Sequence, residues 1–390
     1  MSAPEELLDI RRLYRLPWSK NDNPNGWIEI TTHCNMSCPG CYRGCDRKDG
    51  SERHLSMAEI EVDLQRLIEV RNCQTITISG GEPLMHPRVL EVVELVRRKG
   101  LSSLLLTNGK LLTRDLLTAL KHAGLTGIII RVDSLREGVR QSESDLDELR
   151  QEHADLVRSV GGLFLGFTCV IDKTSVAQIP GVIRWQQSHG RDVDFLLLIL
   201  MRDPHVLREK AASPDQRGWV QLDELCGEIK ARIGDLTYTA YLGCQADDAQ
   251  IKWLYSIWFS LDERVLGYVD ERFLELVQVF NHLVEGRYAF ISKKSDYFVS
   301  LPMLLLLGLV NKSMRAICRR FLAAVLRRPS LLFTRAKMQI LNIVNPPKLI
   351  DGKRDFCDAC PDAVLYRGEL HPSCALDEIR ERMGRTDPTA

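Results

Sequence analysis

Apolar positions in the first half of the chain follow two alternating rhythms. Short, nearly continuous apolar runs occur at 27–32 (WIEITT), 75–79 (TITIS), 104–107, 126–132 (TGIIIRV), 163–171 and 194–200, bounded by Gly, Asn, Asp or Ser. Such runs read as strands. Between them, at 57–71, 86–99, 111–123, 145–160 and 179–189, apolar residues recur every three or four positions, the helical period. The first of these stretches carries Ile60, Leu64, Leu67 and Ile68 on one face and opens on Ser56-x-x-Glu59, a capping box. Six strand–helix alternations predict an α/β fold with a parallel sheet covered by helices. Ligands in such sheets bind at the C-terminal ends of the strands. The residues of chemical interest fall there: a cysteine group after the first strand, Gly80–Pro83 after the second, Thr107–Gly109 after the third, and Asp133-Ser134 after the fourth.

The alternation stops near residue 205. Residues 221–288 read as mostly helical, with Trp253, Trp258, Phe273, Leu276, Val277 and Phe280 as expected core. The expected division is an N-terminal extension over 1–24, a sheet domain over 25–210, a helical region over 211–296, a basic apolar helical segment over 297–350, and a cysteine motif over 351–390.

Of the 390 residues, 52 are basic and 52 acidic, so a uniformly basic nucleic-acid binder is excluded. The first twenty residues mix acids and bases without an apolar core, which predicts a cytoplasmic protein. In a reducing compartment the twelve cysteines read as metal ligands, catalytic groups or buried thiols rather than disulfides. Their distribution separates these classes. Cys34, Cys38, Cys41 and Cys45 form one group and Cys357, Cys360 and Cys374 another. Cys73, Cys169, Cys226, Cys244 and Cys318 are scattered, as small buried hydrophobes are.

Cys34-x3-Cys38-x2-Cys41 puts three thiolates on one short loop, enough to hold three irons of a [4Fe–4S] cube and leave the fourth without a protein ligand. A zinc ion with Cys45 as fourth ligand is the alternative. With Tyr42 directly after the motif and Ser79-Gly80-Gly81-Glu82-Pro83 some forty residues on, residues 25–205 resemble the radical S-adenosylmethionine (SAM) superfamily. The resemblance implies a partial (β/α)6 TIM-like barrel and a cluster on Cys34, Cys38 and Cys41, with SAM chelating the open iron through its amine and carboxylate. It also implies that Gly80, Gly81 and Glu82 receive the SAM amino group and that Tyr42 lies by the adenine. Asn108, Asp133 and Ser134 sit where members of the family contact SAM. Cys45 departs from the minimal pattern and reads as a nearby thiol or a group that meets the substrate. The implied chemistry is reductive cleavage of SAM to a 5′-deoxyadenosyl radical that takes hydrogen from a C–H bond, with a ferredoxin or flavodoxin as electron donor.

Cys357-x2-Cys360-x13-Cys374, with a hairpin centred on Arg367-Gly368, resembles a reduced form of the SPASM or twitch extensions that carry an auxiliary cluster. The resemblance implies a second iron–sulfur cluster, with Cys318, Cys244, Cys226, His371 or the substrate as fourth ligand; a structural zinc is the alternative.

Residues 297–350 contain no Asp or Glu and nine basic residues: Lys312, Arg315, Arg319, Arg320, Arg327, Arg328, Arg335, Lys337 and Lys348. The uncharged run 297–311 is shorter than the ~20 residues a spanning helix needs. Basic residues interleaved with Leu, Phe and Met suit a helix lying on an anionic membrane surface, which attracts about 1 kcal/mol per basic residue. A buried helical hairpin with arginines at its rim gives the same pattern. Nucleic acid ranks last, since among these basic residues, from 312 to 348, only Phe321 and Phe333 are available to stack on nucleobases. The reading is therefore a radical SAM enzyme, cytoplasmic or peripheral to a membrane, acting on an apolar or amphiphilic lipid- or isoprenoid-like substrate. The alternatives are a radical SAM enzyme modifying a peptide or small metabolite, and a zinc-binding interaction protein.

Overall fold

The computed structural model describes residues 8–39, 41, 43, 45, 52–139, 141–202, 218–244, 250–290, 297–350, 353–376 and 379. Six parallel strands pair in chain order: β1 (Asn25–Glu29), β2 (Thr75–Ser79), β3 (Ser102–Thr107), β4 (Gly127–Arg131), β5 (Phe164–Ile171) and β6 (Phe195–Leu200). Helices α1 (Met57–Val70), α2 (Val89–Arg98), α3 (Arg114–Ala123), α4 (Asp147–Val160) and α5 (Ile179–Ser188) connect them. The first helix starts where its capping box predicts. Glu59 N–H donates to Ser56 Oγ at 3.2 Å and Ser56 N–H donates back to the Glu59 carboxylate at 2.7 Å.

The strands alternate between two environments. Ile76, Ile78, Leu105, Ile128, Ile130, Leu165, Phe167, Leu196 and Leu198 pack under the helices. Their neighbours Thr77, Leu104, Ile129, Thr168, Phe195 and Leu197 turn the other way and line a cavity. Side chains of a strand point alternately to opposite faces, so a sheet curved enough to enclose space is apolar on both. Cys169 belongs to the helix-covered face. It therefore points away from the cavity and is not placed to quench a radical there.

The second half departs from the helical expectation for 211–296. After α6 (Leu222–Ile233) come strands β7 (Ala240–Leu242), β8 (Trp253–Leu261) and β9 (Arg264–Tyr268), and only then helix α7 (Glu271–Glu285). Trp253 and Trp258 are strand residues. In WLYSIWFSL the residues Trp253, Tyr255 and Ile257 line the cavity, while Leu254 and Trp258 pack on the far side. That is a period of two in an aromatic-rich run, which suits a strand. The basic segment is part helix and part strand: α8 (Leu301–Val310), α9 (Lys312–Arg327), then β10 (Ala336–Val344). Strand β10 runs parallel to β6 and antiparallel to β8, so the second half extends the sheet of the first.

The sheet stays open, and the last segment joins its two sides. The C-terminal hairpin of β11 (Ala363–Tyr366) and β12 (Glu369–Pro372) turns at Arg367-Gly368, both with positive φ. Val364 pairs with Trp27 of β1, at one side of the gap. On the other side Cys357 pairs with Cys244, just past β7. Buried Asn25 and Arg71 hold this segment by donating to the carbonyls of Pro361 and Cys360.

Candidate active site at the strand ends

The chain leaves β1 and is met by the glycine turn after β2. Gly81 N–H donates to the Thr31 carbonyl at 2.8 Å, and Glu82 N–H to that of His33 at 2.7 Å. A Cβ on Gly80 would stand 2.2 Å from the Thr31 oxygen, and one on Gly81 2.2 Å from that of His33. Gly80 also has φ +138°. Only glycine allows this approach, which fixes the base of the cysteine loop.

Glu82 is fully buried. Its carboxylate accepts from Leu84 N–H (3.0 Å), Thr107 Oγ1 (2.7 Å) and Asn108 N–H (2.7 Å), so it ties the turn after β2 to the turn after β3. Burial raises its pKa, and these hydrogen bonds oppose the rise. Asn108 in turn donates from Nδ2 to Asn35 Oδ1 at 2.7 Å and stands 3.9 Å from Cys34 Sγ. The turn after β4 reaches the same loop. Glu137 N–H lies 3.4 Å from Cys38 Sγ, and its carboxylate accepts from Ser37 N–H at 2.6 Å. Asp133, fully buried, pairs with Arg131 at 2.7 Å and accepts from Leu135 and Val170 N–H. Ser134 N–H donates to Glu143, itself paired with buried Arg150 at 2.6 Å. Tyr42 lies outside the described residues.

Four strand ends thus converge on one loop. Arg136, Glu137 and the Glu143–Arg150 pair have no short motif; the only signal was their position after β4. Arg136 donates from Nη2 to the Asn108 carbonyl at 2.8 Å, while its buried Nε and Nη1 have no hydrogen-bond partner. Burying donors unpaired is unfavourable, and a carboxylate is a natural acceptor for a guanidinium.

The thiols of the loop are not equivalent. Cys45 hydrogen-bonds Cys34 and Cys41, lowering the pKa of both and raising its own. Burial raises that of Cys38. Thiolate is the ligating form. Among the described residues, no three His, Cys, Asp or Glu side chains are arranged to hold a single metal ion. Soft thiols, a glycine cradle at the loop and unpartnered guanidinium donors beside it form a donor set that fits a [4Fe–4S] cluster and an amino-acid ligand.

In the second group Cys360 hydrogen-bonds Cys357 and lowers its pKa; burial pushes Cys374 up to about 12. Of the further ligands the sequence offered, Cys244 alone is paired with Cys357 through the backbone. Cys226 and Cys318 lie in other core clusters, and His371 sits on β12, 3.9 Å from Glu369. Both cysteine groups border one cavity of about 350 Å³: Pro39 and Cys41 on the first loop, Cys357, Cys360 and Cys374 on the second.

The sequence pattern of the radical SAM superfamily matches residues 28–171. Among curated relatives, Fe-coproporphyrin III synthase of Methanosarcina barkeri is 28% identical over 173 residues, 43% of this chain and 42% of that protein. PqqA peptide cyclase of Bradyrhizobium diazoefficiens is 29% identical over 171 residues, 43% of this chain and 44% of that protein. GTP 3′,8-cyclase of Chlorobaculum tepidum is 26% identical over 216 residues, 54% and 64% of the two chains. The chain thus spans less than half the length of the first of these relatives. Among solved structures, Streptococcus suis SuiB bound to S-adenosylmethionine superposes with a TM-score of 0.37 at 16% identity, over 47% of this chain and 41% of that one. With the cysteine loop, its glycine cradle and the converging turns all inside the matched stretch, residues 28–171 of this chain are a radical SAM domain, of the superfamily that uses a [4Fe–4S] cluster and SAM.

Proposed function

We propose that the protein is a radical SAM enzyme that acts on the hydrocarbon part of an apolar or amphiphilic substrate, lipid- or isoprenoid-like. The observation that carries this reading is the cavity bordered by both cysteine groups. Its walls are apolar, built from residues such as Leu104, Leu106, Ile129, Phe195, Ile257 and Ile340. A hydrocarbon chain offers unactivated C–H bonds and nothing to pair with polar groups, so its recognition falls to such walls. Arg202 and Arg354 also line the space. Arg202 is buried with Nε unpartnered, and burial pulls its pKa down to about 10. Arginines on the wall of an apolar cavity, Arg131 among them and outnumbering the one carboxyl, Asp362, suit an amphiphile with an anionic head.

Cys34, Cys38 and Cys41 would hold the cluster, and Cys357, Cys360 and Cys374, with Cys244 beside them, a second one. When bound, the first cluster and SAM supply a one-electron cleavage of a C–S bond and a carbon radical that removes hydrogen. The protein's own residues orient and exclude. The backbone of Gly80 and Gly81 approaches the loop; Arg136, beside Asn108, offers its free N–H groups to the SAM carboxylate. Asp133 and Ser134 hold the turn after β4, and Tyr42 is the expected neighbour of the adenine. The apolar walls keep water from the radical. A ferredoxin- or flavodoxin-type donor would deliver the electron, and the enzyme would work at the surface of an anionic membrane.

Anaerobic reconstitution tests the reading. About eight irons per chain, two [4Fe–4S] clusters, and 5′-deoxyadenosine formed with dithionite are expected. Cys244→Ser should lower the iron content and change the spectrum of the second site while the first keeps its signal. Polyprenyl phosphates or fatty acyl amphiphiles should raise deoxyadenosine yield and shift in mass. Turnover of a peptide with none of an amphiphile would replace this reading, and zinc alone without SAM cleavage would end it.

A further inference from the structure

Helix α8 is apolar on every side, yet only one side is covered. Leu301, Leu304 and Gly308 are buried. At Gly308 the two helices of the hairpin pack tightly; a Cβ there would stand 3.3 Å from Arg315 Cα of α9. Arg315 also donates to the carbonyls of Gly308 and Leu309 and so seals the C-terminus of α8. The remaining surface of α8 faces outward: Met303, Leu305, Leu306, Leu309 and Val310 are 47–74% exposed. Helices apolar all round belong in a protein core or in lipid.

Two neighbouring elements add to this surface. In the turn after α9, Leu332 and Phe333 are exposed, the latter by 88%, as is Leu326 near the end of α9. Helix α7 is tied to the α8–α9 junction, where Asn311 donates to Asp270 at 2.8 Å. One face of α7, with Phe273, Leu274 and Val277, lines the cavity. Its other face shows Leu276, Phe280 and Leu283 to solvent. A single helix thus separates the cavity from an exposed apolar stripe.

The charge around α8 and α9 selects the occupant. Lys312, Arg319, Arg327, Arg328 and Arg335 are exposed and form no ion pair among the described residues. Residues 297–350 contribute no acid, and only Arg327 and Arg328 among these five share a groove with acids, Asp192, Asp262 and Glu263. We infer that α8, the turn after α9 and the outer face of α7 form a docking surface for an anionic lipid bilayer, in which the exposed leucines and Phe333 enter the interface and the free bases meet the headgroups. Among the described residues no helix is long and apolar enough to cross a membrane, so the contact lies along the bilayer surface. The inference deepens the amphiphile reading and rests on it for its purpose: the bilayer becomes the source of the substrate, with α7 as the wall between.

The test is cosedimentation of the full, reconstituted chain with vesicles of phosphatidylcholine alone or mixed with phosphatidylglycerol, with SAM cleavage in detergent read on the same samples. The chain should bind the mixed vesicles only, less as salt rises. Leu306→Glu with Leu309→Glu, both at exposed positions, should weaken binding about tenfold or more. Arg327→Glu with Arg328→Glu should remove the preference for anionic lipid. Thermal melting and SAM cleavage should match the parent in both variants. No binding to mixed vesicles, or binding that neither variant alters, overturns the surface. So does a dimer or an RNA complex that occupies this face in place of vesicles. SAM cleavage without vesicle binding would sink the surface and leave the proposed enzyme standing; vesicle binding without SAM cleavage would do the reverse.

Discussion

The two cysteine groups border one cavity yet are built on opposite principles. The first sits on a loop held almost wholly by hydrogen bonds and charge. Backbone N–H groups of the glycine turn clasp its base, Asn108 from the turn after β3 reaches its side, and acids and arginines at and beyond the end of β4 brace the rest. The second has no loop of its own. It hangs between the two sides of an open sheet, through Cys357 on Cys244 and Val364 on Trp27. Its thiols also sit in a drier setting, where burial raises Cys374 to about 12, while hydrogen bonds from Cys45 favour thiolates at Cys34 and Cys41. A site that must admit a charged cofactor keeps spare polar donors such as Arg136. A site that closes a seam has its backbone fixed by both edges.

The sharpest way to separate them is to break the clasp of the first alone. Gly81→Val puts a branched side chain where a Cβ already lies 2.2 Å from the His33 carbonyl oxygen, a backbone atom that cannot swing aside. We expect a loss of about 3 kcal/mol or more in stability, by thermal melting, and failure of the first cluster to assemble. The second group, whose backbone partners are Cys244 and Trp27, should still take up iron. Loss of iron at both sites would mean that the two groups fold as one unit.

A narrower effect, on stability with the clasp of the loop intact, is expected one layer back. Glu143 and Arg150 are fully buried and paired at 2.6 Å, and Glu143 holds Ser134 in the turn that reaches Cys38. Arg150→Met leaves that carboxylate buried without its partner, at a cost of about 3–5 kcal/mol. The double variant Arg150→Met with Glu143→Leu should recover part of this by urea unfolding, because two apolar side chains leave no orphan charge. Iron at the second group again serves as the internal control.

The same contrast explains what could be read from sequence. The first site was legible because its chemistry is concentrated: three cysteines within eight residues, a Gly-Gly-Glu-Pro turn, and strands whose apolar runs end at each. The loop's supports were not. Arg136 and Glu143 act through where the chain turns after β4, and no spacing encodes that. The second half was misread where periodicity competes with composition. In 253–261, serines interrupt the apolar stripe on one face of β8 and hide a period of two among aromatics. The partnership of Cys244 with Cys357 joins residues more than a hundred positions apart, so only the closing of the sheet brings it about.

The smallest expected effect tests whether the first region's polar character reaches stability at mild acid. His153, on α4, lies beneath the turn after β3; a Cβ on Gly109, which has φ +76°, would stand 3.0 Å from its ring. Burial, with the charge of Arg136 nearby, lowers its pKa to about 4, against 6.5 for a free imidazole. The folded state therefore binds this proton less readily than the unfolded chain. The stability from a neutral His153 is complete above about pH 6.5 and is lost as pH falls from there toward 4. The loss is about 2–3 kcal/mol by pH 4, since one pKa unit is worth about 1.4 kcal/mol and the ring is not wholly enclosed. Urea unfolding of the parent and of His153→Gln between pH 4 and 7 reads it directly. The two profiles should diverge as pH falls below 6.5, with the variant the flatter, because Gln has no proton to gain. Parallel profiles would mean that the imidazole keeps enough water to charge freely, and that the turn over Cys34 rests on neutral contacts in place of a dry histidine.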